Sequence, residues 1–104
     1  MRNILLICSA GMSTSLLVTK MQKVAKENNE ECNIWAVSQG EADSNWEKAD
    51  IILLGPQVRF IQSKIKDMVK NTIPVEVIDV VTYGRLDGRA VLEQAYDIMD
   101  SFEK

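Results

Sequence analysis

The residues that promise chemistry lie near the start of the chain. Cys8 ends an apolar run, and small or hydroxyl-bearing residues with one methionine follow it: Ser9, Ala10, Gly11, Met12, Ser13, Thr14 and Ser15. The ionised sulfur of cysteine is its nucleophilic form. Small residues let a loop curl so that several backbone N–H groups face one point, and such a concavity attracts anions. A helix beginning near Ser13 adds N–H groups that have no partner inside the helix, which favours phosphate above all. The same field favours thiolate over thiol. Hydroxyls at Ser9, Ser13, Thr14 and Ser15 supply further donors. The segment therefore suits a nucleophilic sulfur and the three oxygens of a phosphoryl group attached to it.

Other readings of a phosphate-binding loop lack their residues. A nucleotide-binding GxxxxGK[ST] run and a dinucleotide-binding GxGxxG run are both absent. A cysteine phosphatase would place an arginine six positions after its cysteine, where this chain has Thr14. Without a guanidinium, charge on a transferring group loses a bidentate clamp. Hydrolysis also needs a general acid; Asp79 is the candidate, although a carboxylate there serves equally well as a turn cap. A module that binds phosphate without covalent chemistry, and a Cys8 that merely fills the end of a strand, are the remaining alternatives. Cys32 precedes a strand with no small-residue loop behind it and reads as structural.

Composition narrows the classes. Histidine is absent from the 104 residues, which removes Ser-His-Asp and Cys-His catalysis, histidine-bound zinc and a phosphohistidine on this chain. Two cysteines without a CxxC spacing suggest neither a disulfide framework nor a metal site. Twelve basic against fifteen acidic residues give a net charge of -3, with no basic excess to bind nucleic acid. No apolar stretch reaches the roughly 18 residues of a membrane span, and the opening apolar run is too short for a secretion signal, so a cytoplasmic protein is expected. Nothing calls for a cofactor.

The elements that must position the cysteine follow from hydrophobic patterning. Four short apolar runs, Asn3–Ile7, Asn33–Val37, Asp50–Leu54 and Val75–Ile78, lack clean alternation and suit parallel strands covered on both faces. Residues 14–27, 57–71 and 88–102 carry apolar positions at helical spacing, and Asn28-Asn29 ends the first of these helices. Between Gln39 and Ala49 a short helical piece is expected near Ala42–Trp46, with Trp46 packed on the sheet. Strands alternating with helices predict a single α/β domain over residues 1–104: a four-stranded parallel sheet in the order 2-1-3-4 with helices on both faces. In such sheets ligands bind at the carboxyl ends of the strands where the chain reverses its direction of winding, which is where Cys8 falls.

The neighbouring strand-end loops should border the same place. Pro56 suits a first helical turn and Gln57 offers an amide donor. Tyr83, next to Gly84, either shields the sulfur, meets a partner or closes its loop as a packed aromatic. Arg85 and Arg89 are candidates for contact with an acidic partner.

The segment CSAGMSTSLL, with ILLGPQV at 52–58 and IPVEVIDVVTYGRLDG at 73–88, resembles the enzyme IIB components of the bacterial phosphoenolpyruvate-dependent sugar phosphotransferase system, in the lactose/cellobiose/chitobiose class. The resemblance covers nearly the whole chain. It implies the same sheet order and a phosphoryl carrier whose cysteine matches Cys8. Such a carrier accepts the group from a phosphohistidine on a IIA component and passes it to a sugar bound by the membrane-embedded IIC component, so this chain would associate with the membrane only through IIC. This branch lacks the loop arginine, so Thr14 agrees with it. β-Linked disaccharides such as cellobiose or diacetylchitobiose are the sugars that the resemblance suggests.

Overall fold

The computed structural model describes residues 2–8 and 12–102, with Met12 and Ser13 through their backbone alone. Four parallel strands, β1 (Arg2–Cys8), β2 (Cys32–Ser38), β3 (Ile51–Leu54) and β4 (Val75–Val77), form one sheet in the order β2-β1-β3-β4. The predicted topology is therefore the observed one. The helices are α1 (Met12–Glu27), α2 (Gln62–Met68), α3 (Val80–Gly84) and α4 (Gly88–Phe102).

The sheet is covered on both faces, and its strands read accordingly. All four residues of β3 are buried, as are Ile4 to Ile7 of β1. Side chains alternate between the two faces. Ile4, Leu6, Ile51 and Leu53 pack with Leu17 and Met21 of α1 and with Val91, Leu92, Ala95 and Met99 of α4. Leu5, Ile7, Ile52 and Leu54 pack on the other side with Val58, Ile61, Ile65 and Val69. Each such aliphatic side chain removed from water contributes about 1.5–3 kcal/mol before chain entropy is counted. A chain buried on both faces has no reason to alternate polar and apolar residues, which is why the strands are continuous apolar runs.

Helix α1 ends as its asparagines predict. Asn29 takes a left-handed φ of 58°, and Glu30 N–H donates to the Ala25 carbonyl at 2.9 Å, so the last turn is closed by the chain's own amides. Helix α4 begins at Gly88, where a Cβ would stand 2.8 Å from the carbonyl carbon of Lys20 and the nitrogen of Met21. Glycine is thus what lets α4 lie against α1.

Three segments depart from the sequence reading. The helix expected over 57–71 is a 3₁₀ segment, Pro56–Ile61, followed by the shorter α2. Val58 has φ -117° and ψ 22°, outside helical values, and Val58 N–H bonds the Gly55 carbonyl at 3.0 Å. The tighter winding keeps Val58 and Ile61 on one side, so the apolar face survives the change of helix type. Left-handed Lys70 and Asn71 follow the end of α2. Between β2 and β3 the helical piece is two 3₁₀ segments, Gln39–Ser44 and Trp46–Lys48. Trp46 packs half-buried on the Leu5–Ile7 side of the sheet, as expected. Helix α3 was not expected. Its start is fixed by Asp79, whose carboxylate accepts from Val81 and Thr82 N–H at 3.1 Å each.

The two outer strands turn half of their carbonyls away from their neighbours. Ile52 N–H bonds the Pro74 carbonyl and Ile78 N–H bonds the Leu54 carbonyl, so the ladder leaves Val75 and Val77 facing outward. Gln62 Nε2 donates to the Val75 carbonyl at 2.8 Å and Gln94 Nε2 to the Val77 carbonyl at 3.3 Å. On the opposite margin Gln22 Nε2 donates to the Ile34 carbonyl at 3.0 Å.

Candidate functional site

The register aligns the carboxyl ends of all four strands on one rim. Cys8 pairs with Ser38. Gly55 N–H bonds the Ile7 carbonyl at 2.9 Å, and Ile78 N–H bonds the Leu54 carbonyl at 2.9 Å. The chain therefore leaves the sheet beside Cys8 at three further places: after Ser38, at Gly55 and at Asp79.

Cys8 is the last residue of β1 and is 4% exposed. Alternation places its side chain on the α1 side, after Ile4 and Leu6. The thiol donates to the Val37 carbonyl of β2, with Sγ 3.8 Å from that oxygen. Ser9, Ala10 and Gly11, expected to cradle the phosphate, lie outside the described residues. Met12 and Ser13 contribute their backbone to the first turn of α1, one residue earlier than the start expected near Ser13. Ser15 is exposed in the same turn, and its carbonyl accepts from Thr19 Oγ1 at 3.1 Å.

Thr14 occupies the position where a phosphatase would carry arginine. It is 2% exposed, and its hydroxyl lies 2.8 Å from the Tyr83 hydroxyl. Gln57 Nε2 donates to the same Tyr83 oxygen at 3.0 Å. Three residues singled out in sequence thus meet in one hydrogen-bonded line running from α1 through α3 to the turn after β3. Tyr83 is half-buried and packs on the α1–α4 core, so it is a packed aromatic whose polar end faces the other two loops. The Gln57 side chain folds back over Gly55, where a Cβ would meet Gln57 Oε1 at 2.5 Å. Glycine there gives the amide room to reach Tyr83. Pro56 is buried at the first position of its 3₁₀ segment and starts that turn without needing an N–H. Gly84 is exposed at the end of α3.

The remaining candidates separate from the site. Asp79 is occupied as the cap of α3, which is the turn-capping role and not that of a poised acid. Arg89 sits 3.6 Å from Glu27, in the last turn of α1 and at the opposite end of that helix from Cys8. Arg85 follows α3 and is exposed. Cys32 Sγ lies 2.6 Å from the Tyr96 hydroxyl, and the Arg2 guanidinium stands 4.7 Å from the centroid of the Tyr96 ring. Burial and then the Cys32 contact push the Tyr96 phenol above its ordinary value. Among the described residues no group of three or more His, Cys, Asp or Glu side chains is placed to hold a metal ion, and no helix is long and apolar enough to cross a membrane. The short α3, which brings Tyr83 to Thr14, was the part sequence reasoning missed; Asp79 two residues before the Val81 amide was its signal.

Comparison with known proteins gives a consistent result. The sequence profile described as "PTS system, Lactose/Cellobiose specific IIB subunit" matches residues 3–94. The chain is 50% identical over 100 residues to a PTS system oligo-beta-mannoside-specific EIIB component of Bacillus subtilis, covering 95% of this chain and 97% of that one. It is 41% identical over 103 residues to a galactose-specific EIIB component of Lactococcus lactis subsp. cremoris, covering 93% and 95%. A cellobiose-specific EIIB component of Lactococcus lactis subsp. lactis is 40% identical over the same length and coverage. Among solved structures, the cellobiose-specific phosphotransferase IIB component of Borrelia burgdorferi superposes with a TM-score of 0.79 at 37% identity, covering 96% of this chain and 93% of that one. A lactose-specific IIB domain from Streptococcus pneumoniae shares the fold, with a TM-score of 0.84 at 17% identity over 93% and 96% of the two chains.

Proposed function

The chain belongs to the lactose/cellobiose-specific IIB family of the phosphotransferase system, and from that premise we propose that it carries a phosphoryl group on Cys8 between two partner proteins. As an EIIB component it is a phosphotransferase of sugar uptake. The observation that carries the Cys8 assignment is its place as the last residue of β1, on the rim where the sheet order reverses and four positions before Met12 begins α1.

In the first step the Cys8 sulfur attacks the phosphorus of a phosphohistidine on a IIA component. The S–P bond forms as the N–P bond breaks, and the thiol proton ends on the released imidazole nitrogen. In the second step a hydroxyl of a sugar held by the membrane-embedded IIC component attacks phosphorus. The O–P bond forms, the S–P bond breaks and the hydroxyl proton ends on sulfur. Such transfers need positioning and charge stabilisation more than covalent assistance. The amides of residues 9–15 and the hydroxyls of Ser9, Ser13, Thr14 and Ser15 supply that stabilisation. A guanidinium clamp would also assist loss to water, and a carrier must hold its cargo until the acceptor arrives; Thr14 in place of arginine suits carriage. The donor histidine belongs to the partner, since this chain has none. Pro56, Gln57, Tyr83 and Gly84 border the site. The protein works in the cytoplasm and meets the membrane through IIC. The sugar is a β-linked disaccharide such as cellobiose or chitobiose, in keeping with the cellobiose specificity of one relative; the other two are specific for oligo-beta-mannosides and for galactose.

Incubation with phosphoenolpyruvate, the general phosphotransferase proteins and the cognate IIA should add the mass of one phosphoryl group. Cys8→Ser should remove that mass and Cys32→Ser should retain it. A Cys8→Ser protein that still takes the label would refute the assignment.

A further inference from the structure

We infer that Tyr83 is a positioning residue for phosphoryl transfer, which together with Gln57 sets the direction in which the Thr14 hydroxyl donates. The inference rests on Cys8 being the carrier.

The hydrogen atoms decide the matter. Gln57 Nε2 can only donate, so one lone pair of the Tyr83 oxygen is taken. The Thr14–Tyr83 contact at 2.8 Å holds one hydrogen, and either hydroxyl can provide it. A phenol is a stronger hydrogen-bond donor than an aliphatic alcohol. An oxygen that already accepts from an amide donates more strongly still. Tyr83 therefore donates and Thr14 accepts. Thr14 is 2% exposed, so water cannot take its own hydrogen. That hydrogen is left to find an acceptor beside the first turn of α1, and a phosphoryl oxygen on Cys8 provides one. The line then runs one way, from Gln57 to Tyr83 to Thr14 to the anion, and each bond strengthens the next.

The direction of this line can be reversed without breaking it. In Gln57→Glu the carboxylate only accepts. Tyr83 must then donate to residue 57, and Thr14 must donate to Tyr83, so the threonine hydrogen is withdrawn from the anion while both contacts persist. Tyr83→Phe breaks the line but leaves the Thr14 hydrogen available.

The test is single-turnover transfer from phosphorylated IIA to the purified protein, with urea unfolding run on each variant. Gln57 is exposed, so its substitution leaves the fold intact. Gln57→Glu should slow transfer by about tenfold, with the half-saturating IIA concentration unchanged. Tyr83→Phe should slow it by about threefold. Because phenylalanine at 83 restores the threonine hydrogen, the double variant Gln57→Glu/Tyr83→Phe should be faster than Gln57→Glu alone. A double variant slower than both single variants would mean that the added charge merely repels the anion, and would overturn the inference. So would a parental rate in Gln57→Glu while the parent takes its label on Cys8. A parent that takes no label on Cys8 overturns the carrier assignment itself, and this inference with it.

Discussion

The Thr14 hydroxyl stands 2.8 Å from that of Tyr83, which joins the first turn of α1 to the short helix after β4. Buried groups joined in this way stabilise the fold as well as the site. Thr14→Val keeps the shape of the side chain and removes the bond. It should lower unfolding stability by about 1 kcal/mol, read as a drop in the urea midpoint at constant slope. The same substitution made on Tyr83→Phe should cost less than it does alone, because the two residues share one interaction.

Asp79 distinguishes capping from acid catalysis. Asparagine accepts the same backbone hydrogens from Val81 and Thr82 but supplies no acidic proton. Asp79→Asn should therefore transfer its phosphoryl group at the parental rate. Asp79→Ala should lose about 1 kcal/mol of stability, since the first turn of α3 is left uncapped. A loss of transfer in Asp79→Asn with full stability would restore the acid role.

Close approach at Gly88 gives a prediction about packing alone. A methyl group there meets backbone of α1 at 2.8 Å, and backbone cannot swing aside. Gly88→Ala should cost about 1–3 kcal/mol in urea unfolding, despite alanine's better helix propensity. A stabilised variant would mean that α4 shifts without penalty.

Alkali should reveal the Tyr96 cluster. Burial, and then Cys32, hold the phenol protonated in the folded chain at pH values where the unfolded chain ionises it. The folded state then binds more protons than the unfolded one, so stability is full below the ordinary phenol range near pH 10 and falls as pH rises through it. Tyr96→Phe should flatten that fall in urea titrations between pH 9 and about 11. Equal slopes for the two proteins would remove Tyr96 as the cause.

Much of this arrangement is legible in the sequence because the sheet is buried on both faces. Ile4–Ile7 and Ile51–Leu54 must be strands of a covered parallel sheet, and the stripes of α1 and α4 say what covers it. The place of Cys8 at the end of β1 is legible because an apolar run stops there and small residues begin. The 3₁₀ segment at Pro56–Ile61 was not legible, since Val58, Ile61 and Ile65 keep one apolar side whichever way the backbone winds. Helix α3 was hidden for another reason. It is short and buries none of its residues fully, so no stripe announces it, and only the cap at Asp79 does. Thr14, Gln57 and Tyr83 were each singled out, but the hydrogen bonds that join them could not be read, because they connect three elements far apart in the sequence.

A carrier that must meet one protein, let go and meet another works poorly if it sticks to copies of itself. Exposed sheet margins invite such growth, strand upon strand, towards fibres. Here the amides of Gln22, Gln62 and Gln94 already occupy outward oxygens on both margins. A molecule arriving edge-on would have to displace them first. Three ordinary side chains thus stand where a second sheet would have to pair.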